Sequence, residues 1–335
     1  MSSNRQWNLD PDEEQKKKES GEYDRIFEAC RKSFTRFHYT FTDKSTFDDS
    51  PEEREKFYAK LWEEGGFQPL LLNYKDILFD QKANDEVYKY WRSTILSRVK
   101  NPEKQRLLAP EQQPHPFGTK RNSLERRFYE VVDQDHVDII SVCEHPVKEV
   151  TSSGIKTSKG LVEFDVIILA TGFDSVTGSL AQINIRGIDG RTVAEHWKDG
   201  LKTSMGIALP GFPNMFFLYG PQAPTAFANG PSCTQFQAEW VEEVIKRSLS
   251  ERITRFEATQ EAEDEWSKRC NELWYKTLYP KANGWYNGAN IPGKRVEPMN
   301  WIGGMVGYVE ALGKSVENNY QSWHVSRAKQ VVSLR

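Results

Sequence analysis

Residues 166–174 have the sequence VIILATGFD, in which a fully apolar run ends in small residues. The run at 166–170 predicts a buried strand, because strands covered on both faces are continuous in apolar residues. Thr171 and Gly172 then allow the backbone to turn sharply at the carboxyl end of the strand, where doubly wound sheets bind nucleotides. An ordinary strand-to-loop junction explains the same pattern about equally well. The segment by itself leaves both interpretations open.

Strand patterns continue on either side of this segment. Residues 137–142 (VDIISV) are mostly apolar and β-branched, and residues 147–151 and 155–157 flank a Ser-Ser-Gly turn, which is typical of a hairpin. Residues 215–219 add an aromatic run. The sequence therefore predicts strands at all of these positions.

Helical spacing dominates the first hundred residues and the C-terminal third. Ser50-Pro51-Glu52-Glu53 combines an N-cap, a proline at the first helical position and a capping-box glutamate. From Asn84 to Val99 apolar residues recur every three or four positions, and residues 235–246 and 266–274 repeat that spacing. The breaker-rich loop at 114–118 separates the helical part from the strands. The chain is thus predicted to be of the mixed α/β class.

The composition excludes several classes of protein. A chain of 335 residues can form two packed units, and 38% hydrophobic with 28% charged residues is typical of a folded, soluble protein. The net charge is −3 with both signs interleaved, so we expect no nucleic-acid partner. No segment reaches the ~18 apolar residues of a membrane span. We therefore expect no membrane partner and a cytoplasmic location.

Cysteines and histidines give no sign of a metal centre. The four cysteines are widely spaced without a CxxC pair, which favours reduced core thiols: Cys30, Cys143, Cys233 and Cys270. The six histidines show no ligand spacing and are interpreted as surface or core residues.

Four further segments carry candidate chemistry, in chain order. They are GTKR at 118–121 followed by FYE at 128–130, RGIDG at 186–190 followed by His196-Trp197, GPQAPTAFANGP at 220–231, and Trp285 with GANIPGK at 288–294. The last of these is the most specific, whereas a Lys-Arg pair in a loop is by itself usually a solvated surface pair. Together with TGFD at 171–174, they resemble the Baeyer–Villiger-type flavin monooxygenases over roughly residues 20–325.

The resemblance implies a fold, cofactors and a reaction. The fold is a two-dinucleotide-binding, Rossmann-like flavoprotein architecture with a helical insertion, here lacking part of both nucleotide domains. The cofactors are FAD and NADP, and the partners are O2 and a small apolar carbonyl substrate. One oxygen atom would be inserted next to a ketone, giving an ester or lactone, typically in secondary metabolism.

The resemblance also divides the chain into three parts. Residues 1–113 correspond to the helical part of the NADP-binding domain, and residues 114–165 to its catalytic loop and returning strands. Residues 166–335 correspond to the C-terminal part of the FAD-binding domain, with a loop that closes over NADPH.

Site residues follow from the same resemblance. Arg121 is the expected catalytic residue. The expected cofactor-binding residues, including Arg121 itself, are Lys120, Arg121, Thr171, Gly172, Phe173, Asp174, Ala226, Asn229, Gly230 and Trp285. On physical grounds alone, the residues from Ala226 to Gly230 could simply shape a turn before a helix. Trp285 could be a wedge that seals an interface or a lid that orders over NADPH.

The physical case for Arg121 rests on its charge. In the family, reduced flavin captures O2 as a peroxide anion that must stay deprotonated until it attacks a ketone. A guanidinium is always charged and donates along several directions, so it can stabilise both this anion and the adduct that follows. Lysine is less dependable in that role, and Lys120 is better suited to a phosphate of the nicotinamide nucleotide.

The sequence departs from the family at one point. Intact members carry two GxGxxG loops, and this sequence contains none; GIDG at 187–190 lacks their spacing. Three explanations stay open: a separate N-terminal half carries those loops, the chain is a truncated, non-catalytic binding or scaffold protein, or the retained pocket performs non-redox chemistry. The Lys120-Arg121 pair and the motif from Gly288 to Lys294 favour the first. Within enzymes, N- or S-oxygenation is the nearest alternative, although it does not share this Lys-Arg loop.

Overall fold

A computed structural model of the chain describes residues 2–3 and 10–329. The helices are α1 (Pro11–Glu19), α2 (Glu22–Lys32), α3 (Pro51–Glu64), α4 (Gln68–Leu71), α5 (Gln81–Arg98), α6 (Pro102–Leu108), α7 (Phe128–Val132), α8 (Gly178–Gln182), α9 (Val193–His196), α10 (Gly230–Ser250), α11 (Gln260–Trp274) and α12 (Gly304–Glu317). The strands are β1 (Ser2–Ser3), β2 (Leu124–Glu125), β3 (Val147–Val150), β4 (Gly154–Thr157), β5 (Gly160–Glu163), β6 (Ile253–Ala258) and β7 (Trp323–Arg327). None of the described helices is both long and apolar enough to cross a membrane.

The described strands form three small sheets. β1 and β2 pair in parallel, while β3, β4 and β5 form an antiparallel meander. β6 and β7 pair antiparallel with a register irregularity near Ile253. The structure is therefore mixed helix and sheet, as the sequence predicted.

Helix α3 begins where its capping box predicts. The Ser50 side chain accepts a hydrogen bond from the Glu53 amide at 3.3 Å, and the Glu53 carboxylate accepts one from the Ser50 amide at 2.8 Å. This reciprocal pair satisfies two amides that a helix start otherwise leaves unpaired. The helix ends at Gly65, whose φ of +69° is favoured by glycine.

The first hundred residues have an aromatic core of their own. Tyr58 of α3 and Tyr74 pack edge to face with ring centroids 5.9 Å apart, and Val87 of α5 is fully buried beside them. Ile95 and Val99 continue the buried stripe towards Tyr129. The apolar stripe of α5 is thus core, as predicted.

The C-terminal third packs around a larger aromatic core. Trp266 of α11 stacks on Trp301 with centroids 4.6 Å apart, and Trp240 of α10 lies 5.1 Å from Trp323 of β7. Three helices and the antiparallel pair of β6 and β7 thereby cover one another's apolar faces.

The prediction of core thiols is correct for two cysteines. Cys233 and Cys270 are buried, and burial raises the pKa of Cys233 to about 12 and raises that of Cys270 as well. Cys30 is half-buried, and the prediction is wrong for Cys143, which is exposed.

The strand predictions had mixed outcomes. The hairpin is confirmed as β3 and β4. Residues 137–142 and 215–219 are not strands, and 166–170 is neither a strand nor buried: Ile168 is 84% exposed and Leu169 81%. A strand forms only when neighbouring strands accept its backbone hydrogen bonds. No strand among residues 2–3 and 10–329 pairs with 166–170, so its apolar side chains stay uncovered.

Candidate functional site

Arg121 follows a tightly turned loop. The Thr119 hydroxyl donates to the Pro116 carbonyl at 2.6 Å, and Gly118 has a φ of +79°. This φ favours glycine, and an added side chain at Gly118 would also displace the Leu70 methyl group of α4, 2.4 Å away. The residues that precede Arg121 are therefore held in place by packing and by a hydrogen bond.

The guanidinium of Arg121 reaches across to the loop that precedes α10. Its Nη2 donates to the Ala226 carbonyl at 2.6 Å, and the group lies 5.6 Å from the centre of the Phe67 ring. It also contacts the Tyr286 hydroxyl. Segments from three distant parts of the sequence thus meet at Arg121.

These segments enclose a cavity that is almost entirely apolar. Arg121 is the single charged residue among the described residues that line it. The others are Phe34, Thr35, Phe37, Phe41, Phe67, Leu70, Leu71, Leu78, Phe79, Ala226, Phe227, Thr277, Tyr279, Tyr286 and Ile302. Sequence reasoning missed most of them. The dense aromatic run FTRFHYTF at 34–41 was the signal that could have identified this wall.

Three tyrosines near Arg121 stay neutral at physiological pH. Burial raises the pKa of Tyr286 to about 12, with the Arg121 charge acting in the opposite direction. Burial also raises the pKa values of Tyr219 and Tyr279. Their hydroxyls are therefore hydrogen-bond donors, not anions, beside the guanidinium.

The loop between Gly220 and Gly230 is fixed to the chain segment that follows residue 286. Gln222 donates its amide hydrogen to the Met299 carbonyl at 2.8 Å, and the Trp301 amide donates to the Ala223 carbonyl at 3.0 Å. Asn229 caps α10 by accepting from the Ser232 amide at 3.1 Å. Ala226, Asn229 and Gly230 are thus placed at the amino end of a 21-residue helix.

Residues 171–174 form a second group, which is exposed. The Phe173 carbonyl accepts from the Asn290 side chain at 3.1 Å, and Asp174 pairs with Lys294. Lys294 also donates to the Thr177 hydroxyl at 2.7 Å. The predicted TGFD and GANIPGK motifs are therefore in direct contact.

The segment from Gly284 to Lys294 connects the two groups. A side chain at Gly284 would lie 3.6 Å from the Lys120 side chain, which places this glycine beside the Lys-Arg pair. The neighbouring Trp285 is half-buried, with its ring 4.2 Å from that of Tyr286. The structure thus brings Lys120, Arg121, Ala226 and Trp285 together and holds 171–174 at the far end of the segment.

One predicted motif lies apart from this site. His196, at the end of α9, is buried and its Nε2 lies 2.6 Å from the Glu263 carboxylate. This contact fits the interpretation of His196 as a core histidine.

Comparisons with known proteins give the family. No protein-family model matches the chain. The chain is 42% identical over 300 residues to the cyclopentanone 1,2-monooxygenase of Comamonas sp. (strain NCIMB 9872), covering 90% of this chain and 54% of that protein. It is 38% identical over 324 residues to the FAD-binding monooxygenase VdtE of Byssochlamys spectabilis, covering 95% and 56%. The chain belongs to the Baeyer–Villiger-type flavin monooxygenases.

A solved Baeyer–Villiger enzyme has the same fold. The crystal structure of cyclohexanone monooxygenase from Rhodococcus sp. Phi1 bound to NADP+ superposes with a TM-score of 0.90 at 31% identity, covering 96% of this chain and 59% of that one. The predicted two-dinucleotide-binding flavoprotein architecture is thereby confirmed. The chain spans little more than half the length of these Baeyer–Villiger relatives and matches their C-terminal portion.

Proposed function

We propose that the chain acts in an FAD- and NADPH-dependent monooxygenase that converts a ketone into an ester or lactone. The observation that carries this proposal is the position of Arg121, a lone positive charge on the wall of an aromatic cavity. Such a cavity can accept a small apolar carbonyl compound, while the guanidinium of the exposed Arg121 at its edge can bind a developing oxyanion. A role in secondary metabolism stays a prediction.

The residues present fit the two cofactors. Gly172 has a φ of +87°, and a side chain there would meet no atom within 4 Å, so a flat ring can approach the backbone closely. Thr171, Gly172, Phe173 and Asp174, with Ala226, Asn229 and Gly230, would hold FAD. Lys120 would bind a phosphate of NADP, and Trp285 would cover the nicotinamide nucleotide, or else seal the interface. When bound, NADPH and FAD would supply the hydride and the activated oxygen.

The chain's own residues would then orient the reaction. Arg121 lines the cavity, and its guanidinium is anchored by the Ala226 carbonyl. Tyr286 stays protonated and can donate a hydrogen bond beside it. Together they would hold the substrate carbonyl oxygen and stabilise negative charge on it.

We further propose that the nucleotide-binding GxGxxG loops reach this site on a separate N-terminal half. The exposed apolar run at 166–170 suits pairing with parallel strands, because its side chains are uncovered on both faces. The three-part division at residues 113 and 165 remains part of this proposal. A truncated scaffold protein is the competing function.

The experiment is a flavin-retention assay. The purified chain is incubated with FAD, alone and with the N-terminal half of a relative, and passed through a gel-filtration column. We expect a flavin band near ~450 nm in the protein fraction of the mixture, followed by ketone-dependent ester formation on addition of NADPH. A colourless protein in both samples would refute the monooxygenase proposal and favour the scaffold.

A further inference from the structure

Asn84 of α5 is fully buried and uses the whole hydrogen-bonding capacity of its side chain. Its Nδ2 donates to the Ile77 carbonyl at 2.6 Å and to the Phe117 carbonyl at 3.0 Å. Its Oδ1 accepts from the Phe117 amide at 2.6 Å and from the Gln113 side chain at 2.8 Å. One side chain therefore binds both backbone polar groups of Phe117.

This two-point contact fixes the base of the Arg121 loop. Phe117 is buried and lies four positions before Arg121. Between them, Gly118 packs against the Leu70 side chain, and the Thr119 hydroxyl donates a hydrogen bond to the Pro116 carbonyl. Because the intervening Gly118 and Thr119 are held in place, we expect a shift at Phe117 to be transmitted along this short loop to Arg121.

The contact extends to the opposite wall of the cavity. The side-chain oxygen of Gln113 accepts a hydrogen bond from the Gln81 side chain at 3.4 Å. The side-chain oxygen of Gln81 in turn accepts one from the Lys281 ammonium group at 2.8 Å. Lys281 ends the 3₁₀ turn that begins at Tyr279, a residue of the cavity lining. A series of side-chain hydrogen bonds through Asn84, Gln113 and Gln81 thus connects the Arg121 loop to the aromatic side of the cavity.

We propose that Asn84 is a positioning residue that sets the place of Arg121 for oxygen transfer. The inference rests on the proposed function for its catalytic consequence, but the contact with Phe117 can be tested without any cofactor. A misplaced guanidinium would still allow NADPH to be consumed, while the activated oxygen would be lost before reaching the ketone. Asn84 itself contacts neither substrate nor cofactor in this role.

A matched control exists in Asn73, which is equally buried. Its side chain donates to the Pro69 carbonyl at 2.8 Å and accepts from the Tyr74 amide at 2.8 Å. It therefore loses buried hydrogen bonds on substitution, as Asn84 does, but these bonds go to Pro69 and Tyr74 and not to the Arg121 loop. Any effect common to Asn73→Ala and Asn84→Ala is a general loss of stability.

The first measurement is amide hydrogen exchange of the full chain. Asn84→Ala should speed exchange of the Phe117 amide at least about 10-fold more than Asn73→Ala does, because the bond to Oδ1 is lost. Gln113→Ala removes only the bond from Gln113 to the Asn84 oxygen, so it should give a smaller change of the same sign and serves if the alanine variant does not fold. Equal exchange in the Asn84 and Asn73 variants would overturn the proposal.

The second measurement uses the flavin-loaded protein with NADPH and a ketone. Asn84→Ala should lower the ester formed per NADPH oxidised by about 5-fold or more, with flavin reduction within about 2-fold of the parent chain. Asn73→Ala should leave that ratio unchanged. If the parent chain forms no ester, the proposed function is refuted, and the exchange measurement alone then tests whether Asn84 fixes Phe117. If the parent chain forms ester and Asn84→Ala leaves the ratio of ester to NADPH unchanged, the positioning role is refuted.

Discussion

The core around Trp240 and the run at 166–170 are both rich in large apolar side chains, but their surroundings are opposite. Trp240 is buried among Phe256, Tyr320 and Trp323, whereas Ile168 is 84% exposed. Helices satisfy their own backbone, and β6 has its pairing strand β7 within the described residues, so the first region covers itself. A run suited to a parallel sheet needs partner strands that are distant in sequence, and the described residues supply none. The cavity beside Arg121 is likewise lined by residues that pack on one another within the described part of the chain, whereas the TGFD loop follows the uncovered run.

The largest expected effect comes from breaking the self-sufficient core. Trp240→Ala removes four aromatic contacts and the bond from its Nε1 to the Ser315 hydroxyl, so the free energy of unfolding should fall by about 3–5 kcal/mol. Denaturant unfolding monitored by far-UV circular dichroism measures it. Phe173→Ala, at an 85% exposed side chain, is the control and should change stability by less than about 0.5 kcal/mol. Comparable losses in both variants would contradict the contrast between the regions.

The next prediction tests whether Arg121 takes part in the reaction. In the flavin-loaded form, Arg121→Ala should leave NADPH oxidation largely intact while ester formation falls by at least about 10²-fold, because the charge that holds the oxyanion is gone. Gas chromatography of the product beside NADPH absorbance measures both. Arg126→Ala, at an exposed residue of the same stretch, is the control. Ester formation that survives in Arg121→Ala would remove Arg121 from the mechanism.

A third prediction concerns the uncovered run. Ile168→Asp should leave the stability of the chain alone unchanged, but should weaken its association with an N-terminal half by about 10-fold or more, since an apolar side chain can no longer be buried. Leu249→Asp, at a 78% exposed position on α10, is the matched control and should not affect association. Light scattering or titration calorimetry of the two halves measures the affinity. If Ile168→Asp and Leu249→Asp behave alike, the run is not the docking surface.

The smallest effect is expected where the GANIPGK segment touches the TGFD loop. Lys294→Met removes the contacts with Asp174 and Thr177, which should cost less than about 1 kcal/mol of stability because the pair is partly exposed. Hydrogen exchange of residues 171–177 should nevertheless increase. Lys268→Met, which removes an exposed pair with Glu272 at 3.9 Å, should leave that exchange unchanged. No increase in Lys294→Met would mean that GANIPGK does not order the TGFD loop.

Local patterns were sufficient for elements whose partners are near in sequence. The capping box at Ser50 and Glu53 placed α3, and a Ser-Ser-Gly turn between apolar residues placed the β3–β4 hairpin. The runs at 137–142 and 215–219 failed as strands because an apolar run states a preference for burial without supplying the neighbour that accepts its hydrogen bonds. The order of the motifs along the chain identified Lys120 and Arg121 as site residues. It did not identify Asn84, since an asparagine within a helical pattern of apolar residues is common.

The sequence by itself determined the α/β class, the helices with their caps, the hairpin and the motifs that mark the family. Those features depend on side-chain spacing and on contacts within a few residues. Only the tertiary structure decided that Arg121 bonds the Ala226 carbonyl 105 positions away, that aromatic residues of 34–41 and 279–286 wall the same cavity, and that Asn84 binds Phe117. Such contacts are set by how packed helices bring distant segments together, and the residue types at either end do not encode that distance.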